Sequence, residues 1–407
     1  MFNNITLKKI LNKISIFIFF SIGKFYEYLF LPIFYLIAFI LYFLNIRFIN
    51  ILWVNAIGHI CLETEMFLRE KYLKNIKYKC IILLPNKQVA NKHIVNYFKN
   101  FFFIFSNDII CFLLQPFKNI KFINHDINNY IMNLWSSSLH HEIMSRTANY
   151  KPHYTLKEED KIFGYENLKK FGIEEHDWFI TIHSRDSFYR DGGKANHRTS
   201  VRDSNIETYI KMIKYIVSLN GFVIRMGSNK CKALSYKHTN VIDYALSNIR
   251  SDRMDVFLAA KSKIFIGTNS GLFALPLIFG TPILFLNLIP LAQLNCQPFS
   301  IGVPKILRNK KDKKILSFLE AFKEPMGNSF YTEDFENANL EIIDNDQDLI
   351  YEATIEALQR IEGKFNETPE DIILQKKFKK LLKPHHYGYK TAGFISTTFL
   401  RKYKNLL

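Results

Sequence analysis

From Arg47 onward the chain alternates short apolar runs with longer amphipathic stretches. The runs 51–55 (ILWVN), 80–84 (CIILL), 109–114 (IICFLL), 178–183 (WFITIH), 221–226 (GFVIRM), 263–267 (KIFIG) and 282–287 (PILFLN) have the length of strands buried on both faces. Between them, 59–72, 88–100, 156–171, 205–219, 252–261 and 271–279 carry helical spacing. Thr155 and Glu158 have the spacing of a capping box, and Gly172 stands where that helix should stop. This pattern predicts an α/β fold of open parallel sheets with helices on both faces, arranged as two Rossmann-like halves facing one cleft. The stop at Gly172, followed by a fresh strand, divides the chain into 47–172 and 173–340, with 341–407 as a closing helical tail.

The first 46 residues follow a different pattern. Residues 28–46 (YLFLPIFYLIAFILYFLNI) run for 19 positions without a charge. As one helix they would reach about 29 Å, close to the thickness of a bilayer core. A shorter apolar run, Ile14 to Ile22, precedes them across Gly23, Lys24 and Glu27. No small-x-small cleavage site follows, which argues against a secretory signal. Lys8, Lys9 and Lys13 hold the N-terminus on the cytoplasmic side. Segment 1–46 is therefore expected to associate with the cytoplasmic face of a membrane. It can do so as a span, as a hairpin turning near Pro32, or as a helix lying in the interface; a buried helix of a soluble protein is the remaining alternative.

Composition narrows the classes. Of 407 residues 48% are hydrophobic and 22% charged, which excludes a disordered chain or a rod. Lys and Arg number 54 against 37 Asp and Glu, a formal charge of +17 that favours anionic partners. The 38 Phe and 21 Tyr, beside abundant Ile, Asn and Lys, reflect an AT-rich coding bias. The five cysteines include no C-x-x-C pair, which argues for a reducing compartment and against a zinc finger. His140-His141-Glu142 lacks the H-E-x-x-H spacing of a helical zinc site. Basic clusters at Lys305, Arg308, Lys310, Lys311, Lys313 and Lys314 and at Lys376, Lys377, Lys379, Lys380 and Lys383 lack aromatic interleaving of the nucleic-acid kind. With no helix-turn-helix or RNP string, nucleic acid is not an expected partner, whereas anionic lipid of the inner membrane is.

Candidate chemistry gathers at strand ends, where open α/β sheets bind ligands. The run 178–183 leads into His183-Ser184-Arg185-Asp186-Ser187 and a polar loop from Gly192-Gly193 to Arg202. The run 221–226 leads into Arg225-Met226-Gly227. The run 263–267 passes through Gly267-Thr268-Asn269-Ser270-Gly271 straight into an apolar helix, a start suited to a phosphate. Arg185 and Arg225 supply charge-assisted bonds to phosphate oxygens, and with Ser251 and Asp252 on the same rim they predict a nucleoside-diphosphate site.

The strings His183-Ser184-Arg185-Asp186-Ser187 and Val223 to Gly227 resemble a group of bacterial glycosyltransferases of surface-polysaccharide gene clusters. So do Val241-Ile242-Asp243-Tyr244, Arg250-Ser251-Asp252, Leu258 to Lys261 and Ser270-Gly271. Upstream, Ile57-Gly58-His59 with Glu63-Thr64-Glu65 looks like the group's first βα turn, and Phe399-Leu400-Arg401 looks like its closing segment. The order of motifs departs at 203–205, where Asp and Asn stand exchanged. The resemblance implies a GT-B enzyme, with 47–172 on the acceptor side and 173–340 binding the nucleotide sugar. The His-x-Arg strand end is similar to a fucosyltransferase-like branch, which implies that Arg185 binds the donor diphosphate. His183, Asp186, Arg202, Arg225, Gly227, Asp243, Ser251, Asp252, Thr268, Ser270 and Gly271 are the remaining donor-side candidates, and Gly58 accompanies them.

Glycosyl transfer needs the departing diphosphate neutralised and the acceptor hydroxyl relieved of its proton. His59, directly after Gly58, is the best-placed base, with Asp186 and Glu63 behind it. No metal or other cofactor is expected. Asp344-Asn345-Asp346 has the form of a metal-holding D-x-D string, but Asp346 and Asp348 read as the cap and first-turn acids of a helix over 347–361. The function expected is transfer of a sugar from a nucleotide donor to a glycan or lipid-linked acceptor. The alternative is a membrane-tethered, non-catalytic module that binds polyanions or nucleotides.

Overall fold

The computed structural model describes residues 24–128, 130, 137–186, 197–293 and 300–407. The contacts of the chain divide it into two compact units, one of residues 1–52, 77–88 and 98–126, the other of 53–76, 89–97 and 127–407. Residues 53–76 and 89–97, expected inside the first α/β half, thus belong to the second unit.

The first unit is built on a four-stranded parallel sheet in the order β3-β2-β1-β4, where β1 is Ile46–Ile49, β2 Lys79–Leu83, β3 Phe102–Phe105 and β4 Asn124–His125. The apolar N-terminal segment enters as helical residues 24–29, turns at Phe30, and continues as the helix Leu31–Phe43 with Pro32 in its first turn. Phe34 and Ala38 of this helix pack on Phe48, Ile81, Leu83 and Phe117, forming the core of the unit. No described helix is long and apolar enough to cross a membrane.

The second unit carries a seven-stranded parallel sheet. Its strands are β5 (Phe179–His183), β6 (Phe222–Arg225), β7 (Val241–Ile242), β8 (Phe265–Gly267), β9 (Ile283–Leu288), β10 (Ser300–Pro304) and β13 (Phe394–Ile395), in the order β13-β10-β9-β8-β5-β6-β7. A separate antiparallel pair joins β11 (Ile306–Asn309) to β12 (Leu340–Ile343). β9 is buried along its whole length, as a central parallel strand must be. Asp160 ties several segments of this unit together, because its buried carboxylate takes bonds from His93, Tyr97 and Arg253. Burial alone would raise its pKa; those three bonds outweigh the burial and hold it below the usual carboxylate value.

Several sequence expectations shift. The strand expected at 51–55 lies earlier, at 46–49, and 51–55 is loop. The apolar run 109–114 is helical, not a strand: Asn107 accepts bonds from the N–H groups of Ile109 and Ile110 and caps the helix Asp108–Leu114. Of the helix expected over 88–100 only Val95–Phe98 forms. The Thr155–Glu158 box does not close, since the helix begins two residues later with Lys157 at its cap. Gly172 does stop that helix, with φ of 74°. The tail after 340 is more than helical closure, because β12 and β13 lie within it.

Candidate functional site

Strands β5 and β8 lie side by side and in parallel, so their carboxyl ends open together. The Arg185 N–H donates to Thr268 Oγ1 at 2.9 Å, and the Thr268 N–H donates to the His183 carbonyl at 3.2 Å. Two segments far apart in sequence thereby become one rim. His183 Nδ1 lies 3.2 Å from the Met226 carbonyl, so that nitrogen carries the proton and Nε2 keeps its lone pair. Burial pushes the His183 pKa down to about 4, with Arg225 and Arg185 adding to the fall. At neutral pH this histidine is uncharged.

Arg185 is not a bare rim cation. Its guanidinium donates to the Thr199 carbonyl at 3.1 Å, to Thr199 Oγ1 at 2.8 Å, and to Asp203. The side chain is 17% exposed. Ser184 reinforces the same turn by donating to the Ser204 carbonyl, and the Ser204 N–H donates to the Arg185 carbonyl at 3.2 Å. Asp203, one of the exchanged positions, therefore pairs with Arg185. Asp186 follows in a partly buried position, and the loop with Ser187, Gly192 and Gly193 lies outside the described residues.

Arg225 is buried, and its guanidinium bonds Asp243 at 3.0 Å and the Lys232 carbonyl at 2.7 Å. Asp243 also accepts from the Leu234 N–H at 2.9 Å. Through these partners Arg225 braces the loop after β6. Gly227 follows at φ of 155°, with the His183 ring beside it. Arg202 donates to the Asn269 carbonyl and stacks near the Phe330 ring. Ser251 caps the helix Asp252–Lys261, accepting from the Met254 N–H at 3.2 Å. Asp252 anchors residues 91–92, its carboxylate taking the Lys92 N–H at 2.7 Å.

The helix expected over 271–279 is divided into a single 3-10 turn, Gly271–Phe273, and the short helix Ala274–Phe279. Its dipole is correspondingly weaker than the sequence suggested. What the turn offers is close packing. A Cβ placed on Gly58 would stand 3.0 Å from the Gly271 Cα, so the start of the helix Ile57–Leu73 lies against the Ser270-Gly271 turn. Ser270 Oγ and Asn269 Oδ1 are buried there without a hydrogen-bond partner among the described residues. One residue beyond Gly58, His59 Nδ1 lies 2.7 Å from Glu63 Oε1, one helical turn on. Glu63 is 1% exposed and the imidazole 33%, and the ring packs beside Trp53. A carboxylate on Nδ1 fixes the tautomer whose Nε2 accepts a proton.

One functional candidate escaped the sequence. Lys305, read there as part of a basic surface cluster, is 3% exposed. Its ammonium bonds the Asp203 carbonyl at 2.7 Å and the Asp344 carboxylate at 2.7 Å. Burial lowers its pKa against the opposing pull of Asp344. Its place between Pro304 and the apolar pair Ile306-Leu307, apart from the run of lysines that follows, was the signal that could have separated it from them. Asp346, by contrast, is the helix cap expected of it, accepting from the Leu349 N–H at 2.7 Å.

Among the described residues, Glu324, His385 and His386 form one group with the proximity of metal ligands. His386 is committed elsewhere, with Nε2 at 2.9 Å from the Phe322 carbonyl and Nδ1 accepting the Lys383 N–H at 2.9 Å. The side chains of His140 and His141 lie outside the described residues.

No known protein-family pattern and no curated protein matches the sequence. Solved structures similar to it include a glycosyl transferase family 9 protein of Veillonella parvula DSM 2008, with 12% identity and a TM-score of 0.47 over 77% of this chain and 97% of that one. The ADP-heptose LPS heptosyltransferase II of E. coli has 12% identity and a TM-score of 0.34, over 59% and 84% of the two chains. The iron-containing dodecameric glycosyltransferase TibC of enterotoxigenic E. coli H10407 has 12% identity and a TM-score of 0.33, over 63% and 61%. Likenesses this distant do not carry chemistry from one chain to another.

Proposed function

We propose that this chain is a GT-B-type glycosyltransferase that moves a sugar from a nucleoside-diphosphate donor to a hydroxyl of a glycan or lipid-linked acceptor, in surface-polysaccharide synthesis and without a metal. The observation that carries the reading is the junction at Gly58 and Gly271. It brings a carboxylate-held histidine and the Thr268–Gly271 turn into one place, and Thr268 in turn is bonded to the Arg185 backbone.

The chemistry follows from those partners. The donor diphosphate takes over the Arg185 fork from Asp203, since a doubly charged phosphate group competes well for a guanidinium against one carboxylate. Lys305 holds Asp203 and Asp344 in place beneath that exchange. As the bond between the anomeric carbon and the phosphate oxygen breaks, its electron pair goes to the diphosphate, where the Arg185 charge stabilises it. The acceptor oxygen forms the new bond to the anomeric carbon and gives its proton to His59 Nε2. Glu63 stabilises the imidazolium so formed. Ser270 and Asn269 contribute polar atoms toward the donor, which fits their lack of partners.

The test is ligand-induced stabilisation with a panel of nucleoside diphosphates and nucleotide sugars, followed by transfer with and without chelator. A donor present at a hundred times its Kd should stabilise the fold by about 2.7 kcal/mol. Transfer that chelator abolishes and Mg²⁺ or Mn²⁺ restores would count against metal independence. Binding of nucleotide with no turnover on any acceptor would favour the non-catalytic module instead.

A further inference from the structure

The helix Leu31–Phe43 buries only Phe34 and Ala38, one narrow stripe, against its own sheet. The rest of its surface is as apolar as that stripe. Ile33, Leu36, Phe39, Ile40 and Phe43 are between 50% and 66% exposed, and the helix carries no charged residue. A helix that is hydrophobic all round and open on most sides needs a second apolar neighbour.

The open surface continues beyond this helix. Tyr26, just upstream, donates to the Leu113 carbonyl at 3.1 Å and stacks on Phe112 at 6.0 Å. This brings in the helix Asp108–Leu114, whose Ile109, Ile110 and Leu113 are 70%, 42% and 42% exposed. On another flank Phe122, itself 41% exposed, packs against the rings of Tyr35 and Tyr42. Three elements of the first unit thus share one apolar face.

Cations stand at one end of that face. The Arg47 guanidinium lies 4.0 Å over the Tyr42 ring and donates to the Tyr42 carbonyl, closing the helix C-terminus. Lys79 lies over Phe103, and exposed Lys121 directly precedes Phe122. The described residues of this unit hold eight Lys and Arg against three Asp and Glu. Of the acids, Glu27 accepts from Asn119 and Asp108 from the Lys87 N–H.

From this juxtaposition we infer that the face formed by 31–43, 108–114 and Phe122 docks on the surface of an anionic bilayer, with the helix lying in the interface and Arg47, Lys79 and Lys121 meeting lipid phosphates. The helix Leu31–Phe43 reaches only about 20 Å, short of the roughly 30 Å hydrocarbon core, and no described helix is long and apolar enough to cross it. Leu31–Phe43 also remains seated on its sheet through Phe34 and Ala38, which spanning would uncover. Charge chooses lipid over a second copy of the chain: pairing this face with itself would set like cations against each other, whereas an anionic headgroup layer complements them. The docking does not depend on sugar transfer, and a protein that failed to turn over any donor could still show it.

The experiment is sedimentation of the full-length protein with vesicles of phosphatidylcholine, with or without phosphatidylglycerol. Binding should require phosphatidylglycerol and weaken with salt. Leu36→Glu/Phe39→Glu should weaken it by more than about tenfold, as loss of two buried apolar side chains does, while the nucleotide-induced stabilisation stays as in the wild type. Lys79→Gln/Lys121→Gln should lower binding to phosphatidylglycerol vesicles specifically. Hydrogen exchange on the unmodified protein serves if the acidic variant does not fold: vesicles should protect 31–43 and 108–114 and leave β5 to β9 unchanged. No sedimentation with either vesicle, unaltered binding by the acidic variant, or a variant that only separates a dimer would each overturn the inference.

Discussion

Gly58 and Gly271 meet backbone to backbone: a Cβ on the first would stand 3.0 Å from the Gly271 Cα, and one on the second 3.2 Å from the Gly58 nitrogen. Neither residue has a positive φ, so what both positions require is space and not an unusual backbone. The contact fixes how far the helix that carries His59 stands from the turn that carries Ser270. Gly271→Ala should therefore push the two apart. Overpacking of this kind costs about 1–3 kcal/mol, and turnover should fall further than stability because the base is displaced from the reacting atoms. Urea melts and steady-state rates on the same preparation check this. An alanine variant with wild-type values for both would show that the junction has slack.

Arg185 is held by its bonds to Thr199 and Asp203, so its replacement should touch folding as well as the donor site. Arg185→Lys removes a fork that an ammonium cannot reproduce. Turnover should fall by roughly a hundred- to thousandfold, and the melting temperature should also drop as Asp203 loses its partner. Asp203→Asn separates the two effects. It leaves Arg185 without its competitor, so donor affinity should rise while stability falls. Weaker donor binding in Asp203→Asn would mean that Arg185 is a structural residue and does not take the diphosphate.

Arg225→Met should unfold the protein more readily than any change at Arg185. Its guanidinium is buried, and truncation strands the Asp243 carboxylate and the Lys232 carbonyl. Breaking a buried pair from one side costs about 3–5 kcal/mol. Donor affinity, measured below the melting transition, should be little altered. A large loss of donor binding in a well-folded variant would restore Arg225 to the phosphate site.

The central strands were legible because a parallel strand covered on both faces must be a continuous apolar run, and β5, β6, β8 and β9 are such runs to within a residue or two. The helix Gln347–Ile361 was legible through its cap Asp346 and the helix Asp252–Lys261 through its spacing, whereas the capping by Ser251 was not read from the sequence. An apolar run alone was misleading at 109–114, where periodicity cannot tell a strand from a short helix and Asn107 decides it. The edge strands β7 and β13 have two residues each and carry no pattern of their own; the ladder defines them. At the site, the residue types at strand ends were visible. Their pairings were not, because Arg185 meets Asp203 through a loop and Lys305 reaches the same place from the junction between β10 and β11.

His183 sets a pH dependence of stability. An unfolded histidine titrates near pH 6.5, whereas burial holds the folded one down to about 4. Between those values the unfolded chain binds a proton that the native state refuses. The contribution is therefore complete above about pH 6.5 and is lost as pH falls through the window toward 4. Its size is on the order of 1–3 kcal/mol. His183→Asn keeps a donor for the Met226 carbonyl and removes the titration. The difference between the urea midpoints of wild type and variant should then shrink as the pH is lowered through this window, and parallel curves would show that His183 does not carry it.

The histidine at the junction gives the sharpest separation of roles. If His59 takes the acceptor proton at Nε2, His59→Gln should lower kcat by about a hundred- to ten-thousandfold with donor binding intact. Glu63 touches no substrate; it acts on Nδ1 from one helical turn away and is a positioning residue. Glu63→Gln keeps the volume and can still bond the imidazole, but its amide also offers N–H groups that favour the opposite tautomer. Its kcat should fall less than that of His59→Gln, and KM for the acceptor should change little. The double variant should be no slower than His59→Gln alone, because a positioning residue has nothing left to position. Additive losses would give Glu63 a separate role, and a His59→Gln enzyme with full turnover would remove the base from this helix altogether.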